Sequence, residues 1–170
     1  KEESHVPVTG ITLNPSEVTL ISWPSMKTLS VTFSPENATD KGLTWESSDE
    51  SVATVTNGII VSKKPGVTTI TVRTNDGGHT SSCTVNVIEP VTGVSLDKDT
   101  LTLEVGDSAT LRAIIAPADA TNKDVTWESS DSSVVSISGT GTDVSVQAQS
   151  AGNATVTVTT ADSNQSASCS

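Results

Sequence analysis

Apolar residues alternate with polar ones along nearly the whole chain. Leu29, Val31 and Phe33 fall on one side of an extended segment, with Ser30 and Thr32 on the other. Leu111, Ala113 and Ile115 repeat the pattern 82 residues later. Ile70 and Val72 correspond to Val156 and Val158 in the same way, with Thr71 and Thr157 between them. A period of two predicts strands with one face in a core and the other in water. No segment combines helical spacing with helix caps.

Turn chemistry separates these strands. Asn57-Gly58 predicts a tight reversal, and Asn75-Asp-Gly-Gly78 predicts another. Lys64-Pro65-Gly66 interrupts the run before Val67. Ser34 to Gly42 forms a longer loop, repeated from Ala116 to Asp124. Turn signals spaced by roughly 8 to 12 residues imply about seven short strands in each half, an antiparallel sandwich of immunoglobulin type. The expected core anchors are Trp45, Trp127, Phe33 and Cys83. In the last strand Cys83, Val85 and Val87 alternate with Thr84 and Asn86 and point inward.

The two halves are copies. Ala38 to Val55 returns as Ala120 to Ile137, with 11 of 18 positions identical. Pro-Val-Thr-Gly-Ile-Thr-Leu (7 to 13) returns as Pro-Val-Thr-Gly-Val-Ser-Leu (90 to 96). Gly66 and Cys83 return as Gly152 and Cys169. A period this long indicates two copies of a small domain rather than a solenoid. The division expected is a polar leader at 1–7, a first domain at 8–89 and a second at 90–170. Pro90 fixes its own φ and restricts Glu89, so two all-β sandwiches are expected end to end on a short, stiff joint. At roughly 40 Å each by strand dimensions, they would span about 70 to 80 Å.

These repeated residues resemble the bacterial immunoglobulin-like domain, group 2, found in intimin- and invasin-like adhesins. The likeness rests first on the openings Val8–Leu13 and Val91–Leu96 and on the run Leu101–Leu111. The segments Pro35–Val52 and Pro117–Val134, each carrying Thr-Trp-Glu-Ser-Ser-Asp, complete it. The resemblance implies the fold, a bacterial cell-surface or secreted setting, and no catalytic residues. Two departures stand out. The second copy stops at Ser170, where the first continues with Thr84-Val-Asn-Val87, so its closing strand is short; either a boundary was cut or another segment completes the sheet. The first copy also replaces the polar turn Glu104–Ala109 with Ile21-Ser-Trp-Pro-Ser-Met-Lys27, one residue longer.

Charge and chemistry narrow the function. A net charge of −11 argues against nucleic acid or an anionic membrane face as a partner. No apolar run approaches the roughly 18 residues that span a bilayer. Lys1 to His5 reads as the start of a trimmed or processed piece of a larger protein. The two histidines, His5 and His79, do not recur between copies, and no Ser lies in a nucleophile elbow. An enzyme is therefore not expected, and no cofactor is implied. Calcium could be held only if scattered carboxylates such as Asp97, Asp99, Asp119 and Asp124 gathered. Asp49 and Asp131 are expected to bond nearby backbone amides.

Trp23, Pro24 and Met26 are the apolar residues that the core does not demand. Three placements are open: packing at the junction between copies, an exposed contact spot, or closure of the first sandwich's own end. The expected function is a monomeric, semi-rigid spacer of a bacterial surface or secreted protein, contributing to adhesion. A binding module for a host protein or glycan, or an accessory domain of a surface hydrolase, is the alternative.

Overall fold

The computed structural model describes residues 4–22 and 24–170. Among these residues the regular structure is strand, with no helix. The chain divides into two compact units, Lys1–Ile88 and Glu89–Ser170.

The first unit contains β1 (Gly10–Asn14), β2 (Glu17–Ile21), β3 (Met26–Thr28), β4 (Ser30–Ser34) and β5 (Leu43–Ser47). It continues with β6 (Ala53–Thr56), β7 (Ile59–Ser62), β8 (Gly66–Thr74) and β9 (Thr80–Ile88). One sheet has the order β2-β9-β8-β5. The opposing strands form the ladders β1-β4 and β3-β7-β6. Pro15 cannot donate to a ladder, and pairing breaks there between β1 and β2. Beyond that break β2 runs parallel to β9, from Glu17 opposite Thr84 to Ile21 opposite Ile88. The other pairings of the unit are antiparallel.

The turns follow their residues. Asn57 and Gly58 both take positive φ, 48° and 79°, and close the β6–β7 hairpin in two residues. Between β8 and β9 the positive-φ positions are Gly77 and Gly78.

The core lies between the layers and is aliphatic. Val18, Leu20, Val52, Ile60, Ile70, Val72, Val85 and Val87 are all buried in one cluster. Cys83 is fully buried opposite Ile70. Burial pushes its thiol above the usual range, as it does for the buried Cys169, and both are free.

The aromatic residues differ from expectation. Trp45 and Trp127 are half-buried at the margins of the two cores, not at their centres. An indole carries an N–H that needs an acceptor. Trp127 Nε1 donates to Gly141 O at 2.9 Å, which holds that ring near the edge of the sheet. Trp45 lies against Gly58, whose added Cβ would stand 3.2 Å from Trp45 Cζ2. Phe33 is half-buried at the end of β4, outside the clustered core. Lys41 Nζ sits 5.6 Å from its ring centroid.

The second unit contains β10 (Gly93–Leu96), β11 (Ser108–Ala116), β12 (Val125–Ser129) and β13 (Val135–Ser138). It ends with β14 (Asp143–Ala148), β15 (Val156–Thr160) and β16 (Ser166–Cys169). Its sheets have the orders β10-β11-β14-β13 and β12-β15-β16. Leu111, Ala113, Val144, Val146, Val156, Val158 and Cys169 fill the space between them. A smaller cluster of Val91, Ile115 and Ala120 closes one end of this unit. Asn164, with φ 52°, takes the place that Gly78 has in the first unit.

Candidate functional site

The carboxylates and histidines near the opening segments are committed to holding loops. Asp76 Oδ2 accepts from Val8 N at 2.9 Å, and Asp162 Oδ2 accepts from Val91 N at 2.8 Å. Each carboxylate thus pins the opening segment of its own unit. His79 Nε2 lies 2.9 Å from Val8 O, and His5 Nε2 lies 3.5 Å from Asp76 Oδ2. The two histidines therefore tie down the first unit's opening segment.

The Ser-Ser-Asp turns behave as the sequence suggests. Asp49 Oδ1 accepts from Ser51 Oγ at 2.5 Å and Ser51 N at 2.9 Å. Asp131 makes the same pair of bonds with Ser133, at 2.6 and 2.9 Å. The serine hydroxyl, then the backbone amide, holds each carboxyl below its usual pKa. A depressed folded pKa adds stability that is complete above the unfolded value of roughly 4 and is lost as pH falls through the folded value. We expect the melting temperature of the chain to drop with pH in that acidic window. The double variant Asp49→Asn/Asp131→Asn should drop less over the same range, as followed by calorimetry.

The other carboxylates do not gather. Asp97 accepts from Arg112 N and pairs with Lys98, while Arg112 Nε donates to Asp143. Among the described residues no three His, Cys, Asp or Glu side chains converge to hold a metal ion.

Of the predicted apolar patch, Trp23 lies outside the described residues. Pro24 is exposed and Met26 is 70% exposed. Met26 pairs with Val61, and Thr28 with Ile59, so all four side chains share the outer face of the β3-β7-β6 sheet. Ile59 is also exposed. Its signal in the sequence is the unbroken run Ile59-Ile60-Val61, in which a strand must turn two apolar side chains outward.

The described residues include the walls of two depressions. A shallow one in the first unit lies among Thr44, Trp45, Glu46, Thr71, Arg73 and Thr80. A larger groove of about 740 Å³ lies in the second unit, with Leu101, Leu103, Leu111, Val134, Val156 and Cys169 in its wall. No histidine lines either one. Sequence reasoning did not find this groove.

Comparison with known proteins agrees with this architecture. The pattern of the bacterial Ig-like domain (group 2) matches the chain twice, over residues 7–85 and 90–170. An uncharacterized protein of Clostridium acetobutylicum is 43% identical over 131 residues, covering 76% of this chain and 13% of that protein. An Ig-like virion protein of Serratia phage KSP90 is 35% identical over 140 residues, covering 79% of this chain and 54% of the phage protein. An alpha-L-arabinofuranosidase of Bifidobacterium longum is 34% identical over 137 residues, covering 77% of this chain and 13% of that protein. The chain thus spans from about an eighth to about half the length of these relatives.

Proposed function

The chain belongs to the bacterial Ig-like domain (group 2) family, and from that membership we propose that it is a non-catalytic tandem spacer of a bacterial surface or secreted protein. Its work is mechanical: it keeps other parts of a protein apart and resists tension. The observation that carries this reading is the parallel ladder of β2 on β9. These strands lie near the two ends of the first unit. Tension applied to those ends loads the five paired positions in shear, all together, instead of opening them one by one. The relatives add support. Related sequence occurs within a virion protein and within an arabinofuranosidase, which suits a module reused beside different activities.

A second reading, a binding module for a host protein or glycan that contributes to adhesion, rests on Met26, Ile59 and Val61 sharing one outer face. One exchange separates the two. In the parent protein, the pair is replaced by an unrelated pair of β-sandwiches of equal length. The spacer reading expects the parent's attachment or activity to survive that replacement and to fall when a Gly/Ser linker is used instead. Loss of function with the unrelated sandwiches would favour the binding reading.

A further inference from the structure

β3 is an edge strand. It pairs with β7 on one side, and among the described residues no strand joins its other side. The chain has left that layer by then, since β2 pairs with β9 in the opposite sheet. The ladder bonds fix which backbone groups face the open edge. Ser62 N donates to Ser25 O at 2.9 Å, and Leu29 N donates to Gly58 O at 2.8 Å. Hydrogen-bonded pairs alternate along an antiparallel ladder, so Ser25, Lys27 and Leu29 direct their backbone groups toward β7. The N–H and C=O of Met26 and Thr28 point the other way, and no described residue bonds to them.

The second unit closes the same edge. Lys98 Nζ donates to Thr110 O, the counterpart of Thr28 O, at 2.9 Å. Asn14-Pro15 stands in the first unit where Asp97-Lys98 stands in the second, so Thr28 O lacks that plug. The adjoining faces differ as well. Met26 pairs with Val61 and Thr28 with Ile59, whereas Ser108 pairs with Gln147 and Thr110 with Ser145. One copy thus presents an open edge beside apolar side chains, and the other a plugged edge beside polar ones. An open edge with an apolar face suits an added strand, whose main chain pairs while alternate side chains give specificity. Charge selects the occupant. Lys27 is exposed and makes no ion pair among the described residues. A lysine on an edge disfavours an apolar or basic neighbour, and an acidic side chain directly opposite turns that penalty into attraction.

We propose that the β3 edge is a strand-addition site for an extended segment of a separate protein that reads apolar-acidic-apolar. The segment runs antiparallel to β3. Its apolar residues lie opposite Met26 and Thr28 and extend the strip of Ile59 and Val61; its acidic residue lies opposite Lys27. This site supplies the partner class for the binding reading given above, on which it rests.

The probe is a disulfide-closed hairpin peptide with one outer strand reading Thr-Val-Glu-Val-Thr, added to the 170-residue chain. At ten times its dissociation constant it is expected to slow amide exchange at Met26 and Thr28 about tenfold. Exchange at Ser108 and Thr110 should not change. Replacing the probe's Glu by Lys should weaken binding by about threefold to tenfold. Methylating its two Val nitrogens removes the donors to Met26 O and Thr28 O and should abolish the protection. The variant Met26→Ser/Ile59→Ser/Val61→Gln, which carries the second unit's residues at these positions, should also bind more weakly, with exchange at Ile70 and Val72 reporting its fold. No protection of Met26 and Thr28 by the Glu probe at about 1 mM, near the weak limit of specific pairing, would overturn the site. Equal protection by the methylated probe would do the same. Protection that needs no probe and grows with the concentration of the chain would assign the edge to a second copy and overturn the choice of partner. Loss of function in the domain exchange above, with no protection here, would keep the binding reading and remove this edge from it.

Discussion

Gly66→Ala is expected to destabilise the first unit by roughly 2 to 4 kcal/mol, because two costs fall on one atom. Gly66 has φ 151°, where a side chain is strained. Its added Cβ would also stand 2.7 Å from Val52 Cγ2, inside any real contact distance. Val52 is 4% exposed within the core cluster and has little room to yield. The counterpart Gly152 has no positive φ, and its Cβ would meet Val134 Cγ2 at 3.0 Å. Val134 borders the open groove and can move aside. Gly152→Ala should therefore cost less than about 1 kcal/mol. Denaturant dependence of exchange at Ile70 and Val85 reads the first unit, and at Val158 the second. In a Val52→Ala background the further cost of Gly66→Ala should shrink to its backbone part, about 1 to 2 kcal/mol. Equal costs at the two glycines would refute this account of the difference between the units.

Thr68→Ala is the second large effect, expected to cost the first unit about 1 to 3 kcal/mol. Thr68 is buried, and its Oγ1 accepts from Asp49 N at 2.9 Å. The same atom lies 3.0 Å from Ser47 Oγ and 3.1 Å from Ser48 Oγ. One hydroxyl thus joins the end of β5 to the Ser-Ser-Asp turn. The second unit has Ala154 at this position, and there Ser129 Oγ, the counterpart of Ser47 Oγ, is buried without a partner. Ala154→Thr should then stabilise the second unit by about 0.5 to 1.5 kcal/mol by giving Ser129 a partner. Paired substitutions of opposite sign at equivalent sites make a strict test. If Ala154→Thr is neutral while Thr68→Ala is costly, the hydroxyl acts through packing alone.

Much of this architecture can be read from the residues. Period-two alternation locates β4, β8, β11 and β15, because each has one wet face. Asn57-Gly58 marks its hairpin since both positions need positive φ. The parallel pairing of β2 on β9 is harder to see, because it depends on where the opening strand crosses between layers, a tertiary event at Pro15. The aromatic positions mislead for a related reason: a thin aliphatic core has no space for a whole indole, so Trp45 and Trp127 settle at its margin. Phe33 alternates correctly but stands at the end of its strand, beyond the packed centre. Thr68 and Ala154 each look ordinary alone, and their contrast acquires meaning only once Ser47 and Ser129 are placed beside them. The groove of the second unit brings together Leu101, Val134 and Val156, which lie far apart along the chain, so only the fold reveals it.

The central claim, that this is a mechanical element of two self-contained sandwiches, is tested most directly by stretching single molecules of the chain from its two ends. The account predicts two separate unfolding events, each lengthening the chain by roughly 250 to 300 Å. The stronger event belongs to the first unit with its five-position parallel ladder, and Gly66→Ala should weaken that event alone. A single merged event, or featureless extension at low force, would contradict it.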